Sequence, residues 1–485
     1  MAIDRPPDLE SFRSDFAPPP ELIVRAAERF RQAGLLVTGC VTPAGFGRHS
    51  TGWKDFSCYT SEDTRRGLRA MAEAAARLFD VVMIDDFLAT DCTCAYCRAA
   101  RGGRTWAEFK CEMMAELSRT HIIEAGRAIN PRVEFIIKYP AWYEMYQERG
   151  YDVAAQSAMF PRTWAGTETR GLDAPGSRQY PSDPQYQAYW LMRWLIAVGG
   201  SKCGGGWYDT IDTDPRFYVE QGRGTVLGGA PEAFLFNYGA LHEKRGSGKG
   251  DGPADLAALL REMPQHFELA RLIHGKRPRG LLGWKPANST PGADLALHPL
   301  LGMAGFPVTA ACEFDALADG FVFGCHVLKD PHWWDAVREA VASGRPIVVT
   351  PAFLKTVYPL EIGNSFGLRD LREKAIVVPE LTEWHTWPAL ESLPPSELDA
   401  LRDRAMSSIG SFHAPHGVSL FLFGDDVAVV ESFLNESSEC SLSLEGWGGF
   451  DEALRIPAEG AYAVRGGATA RITLPARSLL ALRRA

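Results

Sequence analysis

The sequence has no long apolar segment and no run of basic residues. No stretch approaches the roughly 20 apolar residues that a transmembrane helix needs, and residues 1–19 contain no apolar core of a signal peptide. The formal net charge is −9, so a nucleic-acid partner has no electrostatic basis. Neither an internal repeat nor a low-complexity tract is present. These absences favour a cytoplasmic protein that binds neither membranes nor nucleic acids.

The composition is that of a globular protein, with 46% hydrophobic and 23% charged residues among 485. Because this length exceeds one ordinary hydrophobic core, we expect two to four domains. Aromatic residues make up 11% of the chain. Their flat apolar faces suit a carbohydrate-binding cleft as well as an ordinary core.

Apolar segments typical of strands alternate with amphipathic segments typical of helices over roughly the first half of the chain. The predicted strands are 35–41, 81–86, 133–139, 162–166, 204–208 and 233–238, and the predicted helices include 64–78, 106–128 and 186–197. This alternation predicts an α/β fold with a parallel sheet, and the length favours a TIM-type (β/α)8 barrel. Because six strands are apparent instead of eight, we expect the N-terminal strands to be short or missing.

The rest of the chain predicts two further domains. The segment 242–253 is rich in Gly and Lys and is typical of a linker, so we place the catalytic barrel in residues 1–250. Residues 251–374 again alternate strands with helices, which indicates a small α/β domain. In residues 375–485, short strands separated by Gly, Ser and Pro predict a C-terminal β-sandwich.

Two adjacent carboxylates, Asp85 and Asp86, end the apolar segment that begins at Val81. Barrel enzymes carry their acids and bases at the carboxyl ends of the strands. Asp86 is therefore a candidate catalytic acid, and Asp85 is a candidate substrate-binding residue. The alternative, in which one of the two caps the following helix, stays open at this point.

A cluster of cysteines follows directly, as Cys92-Thr-Cys94-Ala-Tyr-Cys97. This spacing is too tight for a disulfide framework, and three thiolates directed at one point suit a tetrahedral zinc ion. Cys58, in the preceding β-to-α loop, is the candidate fourth ligand. Because four thiolates leave no open coordination position, the predicted zinc is structural. The alternative is a set of buried thiols without a metal.

A further carboxylate at a predicted strand end is Glu168, which is flanked by two threonines and by Arg170. Such neighbours hold a carboxylate in the ionised state that a nucleophile requires, so Glu168 is the candidate nucleophile. Asp209 competes for this role, and a structural pair of Glu168 with Arg170 is the further alternative. Other candidate substrate-binding residues at strand ends and loops are Lys138, Trp142, Arg170, Trp207, Tyr208 and Asp209, with His49 as an additional candidate.

The order of these motifs resembles the family 42 β-galactosidases. In that family a cysteine precedes an acidic strand end, and a zinc-binding cysteine cluster and a long helix follow it. On this resemblance Asp86 takes the position of the acid/base Glu and Asp85 that of the Asn before it, although Asp is one methylene shorter than Glu. The segment 166–171 resembles the strand end that carries the nucleophile, here Glu168. The match implies a distant relative within the same retaining clan of (β/α)8 barrels.

The resemblance extends to the layout of the whole chain. The second domain resembles the flavodoxin/amidotransferase-like domain through which these galactosidases form trimers, and residues 470–482 resemble their final β-domain. The resemblance therefore implies a glycosidase acting on a β-galactoside-like or related glycoside, with structural zinc and a trimeric assembly. Because the second domain of that family is not catalytic, Gly324-Cys325-His326 is expected to be structural.

Two other functions stay open. In the first, Asp85, Asp86 and Asp209 bind a cation directly in a metal-dependent hydrolase or lyase that acts on a carbohydrate. In the second, the barrel binds sugars without catalysis. Full activity after chelation would exclude the first function, and turnover of any glycoside would exclude the second.

Overall fold

The computed structural model describes residues 2–3, 20–44, 47–48, 50–52, 56–171, 182–243, 251–358 and 366–485. The chain divides into two compact units, one formed by Met1–Ala165 with Val198–Gly204 and the other by Gly166–Ala197 with Gly205–Ala485. Within the ranges just given, no helix combines the length and the apolar character that crossing a membrane requires.

The first unit is built on parallel strands in the sheet order β1-β2-β3-β4-β5. The strands are β1 Ala2–Ile3, β2 Gly39–Val41, β3 Val81–Ile84, β4 Glu134–Tyr139 and β5 Arg162–Gly166. Nearly every residue of β3 and β4 is buried on both faces, as the near-continuous apolar sequences of central parallel strands require. The strand ends of β3 and β4 consequently lie side by side at one edge of the sheet.

Helices connect these strands. They are α1 Pro20–Gln32, α2 Glu62–Leu78, α3 Ala95–Arg101, α4 Trp106–Leu117, α5 Glu124–Ile129 and α6 Val153–Met159. Thr105 and Glu108 form a capping box that fixes the start of α4. The single helix predicted for 106–128 is interrupted by a π-helical turn at Ser118–Ile123. Two short 3₁₀ turns, Tyr143–Met145 and Gln147–Arg149, follow β4.

The N-terminal part differs from the sequence-based expectation. The predicted strand 35–41 is shorter and begins at Gly39, and a strand that was not predicted, Ala2–Ile3, pairs in parallel with it. A two-residue strand is too short to show the alternation by which strands are recognised in a sequence.

The chain continues with α7 Tyr186–Gly199, β6 Cys203–Asp209, α8 Pro215–Leu227, β7 Glu232–Phe236, α9 Tyr238–Glu243 and α10 Gly252–Ile273. Strands β6 and β7 are parallel, with Asp209 opposite Phe236. Helices α8 and α10 pack together over a cluster that includes Tyr208, Tyr218 and Leu259. The parallel strands and their connecting helices agree with the predicted α/β fold.

A second parallel sheet has the order β10-β9-β11-β12-β13. The short strand β8 Pro278–Arg279 precedes this sheet in the chain and belongs to another one. The strands of this sheet and the helices between them are β9 Leu281–Trp284, α11 Leu297–Met303, β10 Val308–Ala311, β11 Gly320–Phe323, α12 Trp333–Ser343, β12 Ile347–Val349, α13 Pro351–Val357, α14 Phe366–Lys374 and β13 Ile376–Val377. This 2-1-3-4-5 order is the flavodoxin-like one. At its topological switch point, Asp294 Oδ2 accepts hydrogen bonds from the Cys325 N–H at 2.7 Å and from the Thr350 hydroxyl at 2.8 Å.

The C-terminal part contains two antiparallel sheets, in the orders β14-β17-β20-β19 and β18-β21-β16-β15-β8. The elements are α15 Pro388–Glu391, α16 Pro395–Ala405, β14 Gly410–His413, β15 Val418–Phe423, β16 Val427–Ser432, β17 Ser438–Leu444, β18 Phe450–Ile456, β19 Ala463–Gly466, β20 Thr469–Leu474 and β21 Ser478–Arg484. Both sheets contribute to one hydrophobic core, for example through Leu420 and Leu442, which agrees with the predicted sandwich. Two helices precede the first strand of the sandwich, where short strands were expected.

Candidate active site and metal centre

Four cysteine sulfurs lie together in the first unit. The Sγ atom of Cys58 is 3.8 Å from that of Cys94 and 3.6 Å from that of Cys97, and the last two are 3.7 Å apart. Including Cys92, all four sulfurs lie within 4.8 Å of one another. Four sulfurs about 2.3 Å from a tetrahedral zinc ion are about 3.8 Å apart, whereas a disulfide needs about 2.05 Å. The donor set therefore fits a metal ion and not a disulfide.

Local structure brings these cysteines together. Cys92 lies in the loop after β3, Cys94 is the N-cap residue of α3, and Cys97 lies in the first turn of that helix. Cys58 comes from the loop before α2, three residues upstream of its N-cap Ser61. The structure thus assembles all four of the cysteines that the sequence proposed as ligands.

Polar groups that were not predicted surround the sulfurs. Arg48 Nη2 donates to Cys58 Sγ at 2.9 Å, and the Thr60 hydroxyl lies 3.1 Å from Cys58 Sγ and 3.3 Å from Cys97 Sγ. A hydrogen bond from Cys97 is the largest effect that lowers the pKa of the Cys58 thiol to about 4, against the effect of burial, with Thr60 and Arg48 contributing. A thiolate is the form that binds a metal. Apart from their nearness to Cys58, nothing in the sequence indicates that Arg48 and Thr60 contact the sulfurs.

The cysteine loop also contacts the chain that follows β3. The Thr90 hydroxyl donates to the carbonyl oxygen of Ser57 at 2.9 Å, and the ring of Phe56 lies 6.2 Å from that of Phe87. Trp142, a predicted substrate-binding residue, is half-buried and its ring lies 6.4 Å from that of Phe56. The loop that carries Cys58 therefore contacts the chain that begins directly after Asp85 and Asp86.

Asp85, Asp86 and Lys138 lie together at the carboxyl ends of β3 and β4. Lys138 Nζ donates to Asp85 Oδ1 at 2.7 Å, and the Thr42 hydroxyl donates to Oδ2 at 3.2 Å. Burial favours the neutral form of Asp85, but Lys138 and a hydrogen bond from Asp86 outweigh it and lower the pKa of Asp85. Burial likewise opposes the charge of Lys138, whose pKa the two carboxylates nevertheless raise. Asp85 is thus held in its ionised form, next to Asp86 at the end of β3.

Glu168, Arg170 and Asp209 form a buried charged group in the second unit. Arg170 Nη2 lies 4.0 Å from Glu168 Oε1 and 2.7 Å from Asp209 Oδ2, and Arg170 Nε lies 3.3 Å from Asp209 Oδ1. The Ile211 N–H also donates to Asp209 Oδ1, at 3.0 Å. Burial opposes the charge of Arg170, but Asp209 and Glu168 raise its pKa. Arg170 is therefore held as a cation by a forked contact with Asp209 and faces Glu168 as well.

Trp207 and Tyr208 occupy consecutive positions of β6, so their side chains point to opposite faces of the sheet. Both are almost fully buried, and Tyr208 packs in the cluster under α8 and α10. A substrate-binding role for these two residues stays a prediction. His49 lies outside the described residues.

Comparison with known proteins addresses the family and the fold. Residues 8–254, about half of the chain, match the model of a family described as "Probable glycosyl hydrolase, catalytic domain". An uncharacterised protein of Saccharolobus solfataricus is 21% identical over 231 residues. This match covers 42% of the chain described here but only 37% of the relative.

Two solved glycosidase structures resemble almost the whole chain. α-L-Fucosidase isoenzyme 2 from Paenibacillus thiaminolyticus has a TM-score of 0.59 at 10% identity, over 98% of this chain and 92% of its own. The GH42 β-galactosidase Gan42B has a TM-score of 0.54 at 9% identity, over 97% of this chain and 91% of its own. At such identities the likeness concerns the fold, and it supports the TIM-like barrel predicted from the sequence. By the match of its residues 8–254, the chain belongs to this family of glycosyl hydrolase catalytic domains.

Proposed function

We propose that the protein is a retaining glycoside hydrolase that acts on a β-galactoside-like or related glycoside. The observation that carries this proposal is the carboxylate of Glu168, which is 3% exposed and lies just beyond β5 beside the Arg170 guanidinium. A buried carboxylate that faces a guanidinium is suited to attack an anomeric carbon. Asp209 is the weaker candidate, because Arg170 and the Ile211 N–H already occupy its two oxygens.

Asp86 is the proposed acid/base and the proposed carrier of the catalytic proton, because it ends β3 next to Asp85, which Lys138 holds ionised. In the first step Asp86 donates this proton to the glycosidic oxygen while the bond from that oxygen to the anomeric carbon breaks. The carboxylate of Glu168 forms the new bond to that carbon. In the second step water displaces Glu168 and gives a proton to Asp86, which restores both groups with net retention of configuration.

The proposed substrate-binding residues are Asp85, Lys138, Trp142, Arg170, Trp207, Tyr208 and Asp209. Two of the four charged members form one pair, Asp85 with Lys138, and two form another, Arg170 with Asp209. Such fixed pairs orient donors and acceptors before a sugar binds. They also weaken the alternative of a cation held by aspartates, because Asp85 and Asp209 already have cationic partners.

We assign a structural zinc ion to Cys58, Cys92, Cys94 and Cys97, since the separations of their sulfurs match those of a four-thiolate tetrahedron. A bound zinc ion would hold the cysteine loop against the chain that follows β3. With four thiolate ligands it has no open position for water, so it supplies no step of the reaction.

We further propose that the chain assembles as a trimer through its flavodoxin-like domain, from the resemblance of that domain to the trimerisation domain of family 42 β-galactosidases. Light scattering on the purified protein is expected to give three times the chain mass of 53.3 kDa. A monomer at micromolar concentration would remove this part of the proposal and leave the chemistry unaffected.

The catalytic roles are tested by three substitutions, assayed on lactose and on nitrophenyl β-galactoside. Asp86→Asn should lower turnover of lactose by about 10²–10⁴-fold while largely sparing the first step on the nitrophenyl glycoside, whose leaving group needs no proton. Added azide should partly restore its turnover, because azide attacks the glycosyl-enzyme without a general base. Glu168→Gln should abolish both activities. If Glu168→Gln stays active and Asp209→Asn does not, the nucleophile is Asp209; if all three variants stay active, the proposal fails.

A further inference from the structure

The segment 380–387, which we call the 380–387 loop, joins β13 to α15 and is fixed at both ends. Trp387 is fully buried, its indole N–H donates to the carbonyl oxygen of Glu380 at 3.2 Å, and its backbone N–H donates to Glu391 Oε1 at 2.8 Å. Lys355 forms an ion pair with Glu380 at 2.6 Å. Contacts at both ends therefore fix the position of the 380–387 loop.

His385 connects this loop to the chain that carries Glu168. Its Nδ1 atom lies 3.0 Å from Asp183 Oδ1, and the Asp183 backbone N–H donates to the carbonyl oxygen of Thr169 at 2.9 Å. Asp183 also contributes to raising the pKa of Arg170. All of these residues belong to the second compact unit. The loop thus reaches the chain next to Glu168, with Asp183 and Thr169 lying between.

The backbone at His385 has a φ of 67°, a left-handed conformation that is costly for a residue with a side chain. Such conformations persist where the surroundings fix them, and they concentrate at ligand sites. Here the left-handed turn brings the His385 ring to Asp183 and leaves Trp384 as its neighbour, with ring centroids 5.2 Å apart.

Trp384 has the properties of a sugar-binding platform. Its side chain is half-buried, and within the described part of the chain its indole nitrogen is buried without a hydrogen-bond partner. Buried N–H groups of tryptophan usually find a partner. A half-buried indole ring beside an imidazole suits a sugar ring, whose apolar face stacks on the aromatic ring while its hydroxyl groups bond to polar side chains.

We propose that the 380–387 loop forms an outer subsite for a second sugar unit of the substrate, on which Trp384 stacks while His385, which lies beside Asp183, hydrogen-bonds a hydroxyl group. This inference rests on the proposed function. Because Asp183 and Thr169 separate the loop from Glu168, the sugar it binds is not the one attacked but a neighbour along the glycan. The protein therefore prefers oligosaccharides to glycosides with a small aglycone.

The test compares Trp384→Ala with Trp384→Phe and with Trp334→Ala, a change at another half-buried tryptophan of the same unit. Galactotriose and nitrophenyl β-galactoside serve as substrates. Trp384→Ala should raise KM for galactotriose about tenfold, with a smaller rise for the nitrophenyl glycoside. Trp384→Phe should recover most of the loss, and His385→Ala should raise KM about threefold. The control Trp334→Ala should match the wild type.

The inference is overturned if Trp384→Ala leaves KM for galactotriose unchanged or if Trp334→Ala raises it equally. Failure of the proposed function is separate, because it shows as absence of turnover by the wild type. In that case calorimetric titration measures the binding of galactotriose directly. The subsite is supported if the wild type binds galactotriose and Trp384→Ala weakens this binding. Unchanged binding, or no binding by the wild type, rules it out.

Discussion

Two buried polar clusters, one in each compact unit, join separate parts of the chain by different means. In the first unit the cluster consists of four groups of one kind, the sulfurs of Cys58, Cys92, Cys94 and Cys97. In the second unit it consists of groups of opposite charge, namely the carboxylates of Glu220, Glu262 and Glu431 and the guanidinium groups of Arg223 and Arg477. The thiolates need a cation from solution, whereas the second cluster contains its own cations.

The second cluster is closely connected. Arg223 forms a forked contact with Glu262, at 2.8 and 3.0 Å, and lies 3.5 Å from Glu431. Arg477 lies 2.8 and 3.0 Å from the two oxygens of Glu220. Burial is the main reason why the pKa of Glu431 is raised to about 8. With Glu431 protonated, two arginines face two glutamates and the charges balance.

The comparison of the two clusters indicates that removal of the metal should destabilise the first unit selectively. Removal of a charged side chain should instead destabilise the second unit.

The largest effect is expected from Cys94→Ser, which removes one of four proposed zinc ligands. The protein should lose about one zinc per chain, and its free energy of unfolding should fall by on the order of 5 kcal/mol or more. Elemental analysis and urea denaturation measure the two quantities. The matched control is Cys111→Ala, a buried cysteine of α4 outside the cluster, which should keep the zinc and cost about 1–2 kcal/mol. Wild-type protein without zinc after purification free of chelators would contradict the assignment.

A smaller effect is expected from Arg223→Met, which leaves Glu262 and Glu431 without their buried cation. The free energy of unfolding should fall by about 3–5 kcal/mol, because a buried charge loses its partner. The control is Arg455→Met, which removes an equally forked pair with Glu452 at the surface and should cost at most about 1 kcal/mol. Equal losses for the two variants would show that the cluster of the second unit contributes no more than a surface pair.

The smallest effect concerns pH. Because the pKa of Glu431 in the folded protein is about 8, above its ordinary value of 4.5, the folded state binds the proton more tightly than the unfolded state. The resulting stability is fully present below about pH 4.5 and is lost as the pH rises through 8. Between pH 6 and pH 7 the wild type should lose up to about 1.4 kcal/mol.

Glu431→Gln should remove the part of this pH dependence that Glu431 contributes, because glutamine is neutral at every pH. Denaturant titrations at several pH values measure it, with the exposed Glu439→Gln as control. The other charged groups around Glu431, namely Arg223, Glu220 and Glu262, are unchanged in both variants. A slope equal to that of the wild type in Glu431→Gln would assign the dependence to another group, such as Asp255, whose pKa burial raises to about 7.

The two clusters also differ in how far the sequence predicts them. Cys92, Cys94 and Cys97 lie within one short segment, and Cys58 precedes Cys97 by only 39 residues. Few chemistries other than metal binding use clustered cysteines in this way. The partners Glu220 and Arg477 are 257 residues apart. Nothing in either local sequence indicates the other, because their contact depends on how a helix and a β-domain pack.

The same distinction applies to the fold and to the candidate site. Strand β5 has the predicted bounds, because its apolar pattern is local, whereas Ala2–Ile3 is recognisable only by its pairing with β2. Asp85 and Lys138 were predicted separately as strand-end residues, but their ion pair follows from the register of β3 and β4. His385 could not be predicted as a neighbour of Asp183, because its left-handed backbone leaves no trace in the sequence.

Asp294 has a consequence for the flavodoxin-like domain. In doubly wound folds the switch point receives ligands from solution, often phosphates that accept hydrogen bonds from backbone N–H groups. Here the Cys325 N–H and the Thr350 hydroxyl, which could bind such an anion, already donate to Asp294. Burial and this carboxylate raise the pKa of the Cys325 thiol to about 12, so it stays protonated and unreactive. The carboxylate of Asp294 thus occupies the position at which such an anion would bind. Because Asp294 is part of the chain, it cannot dissociate.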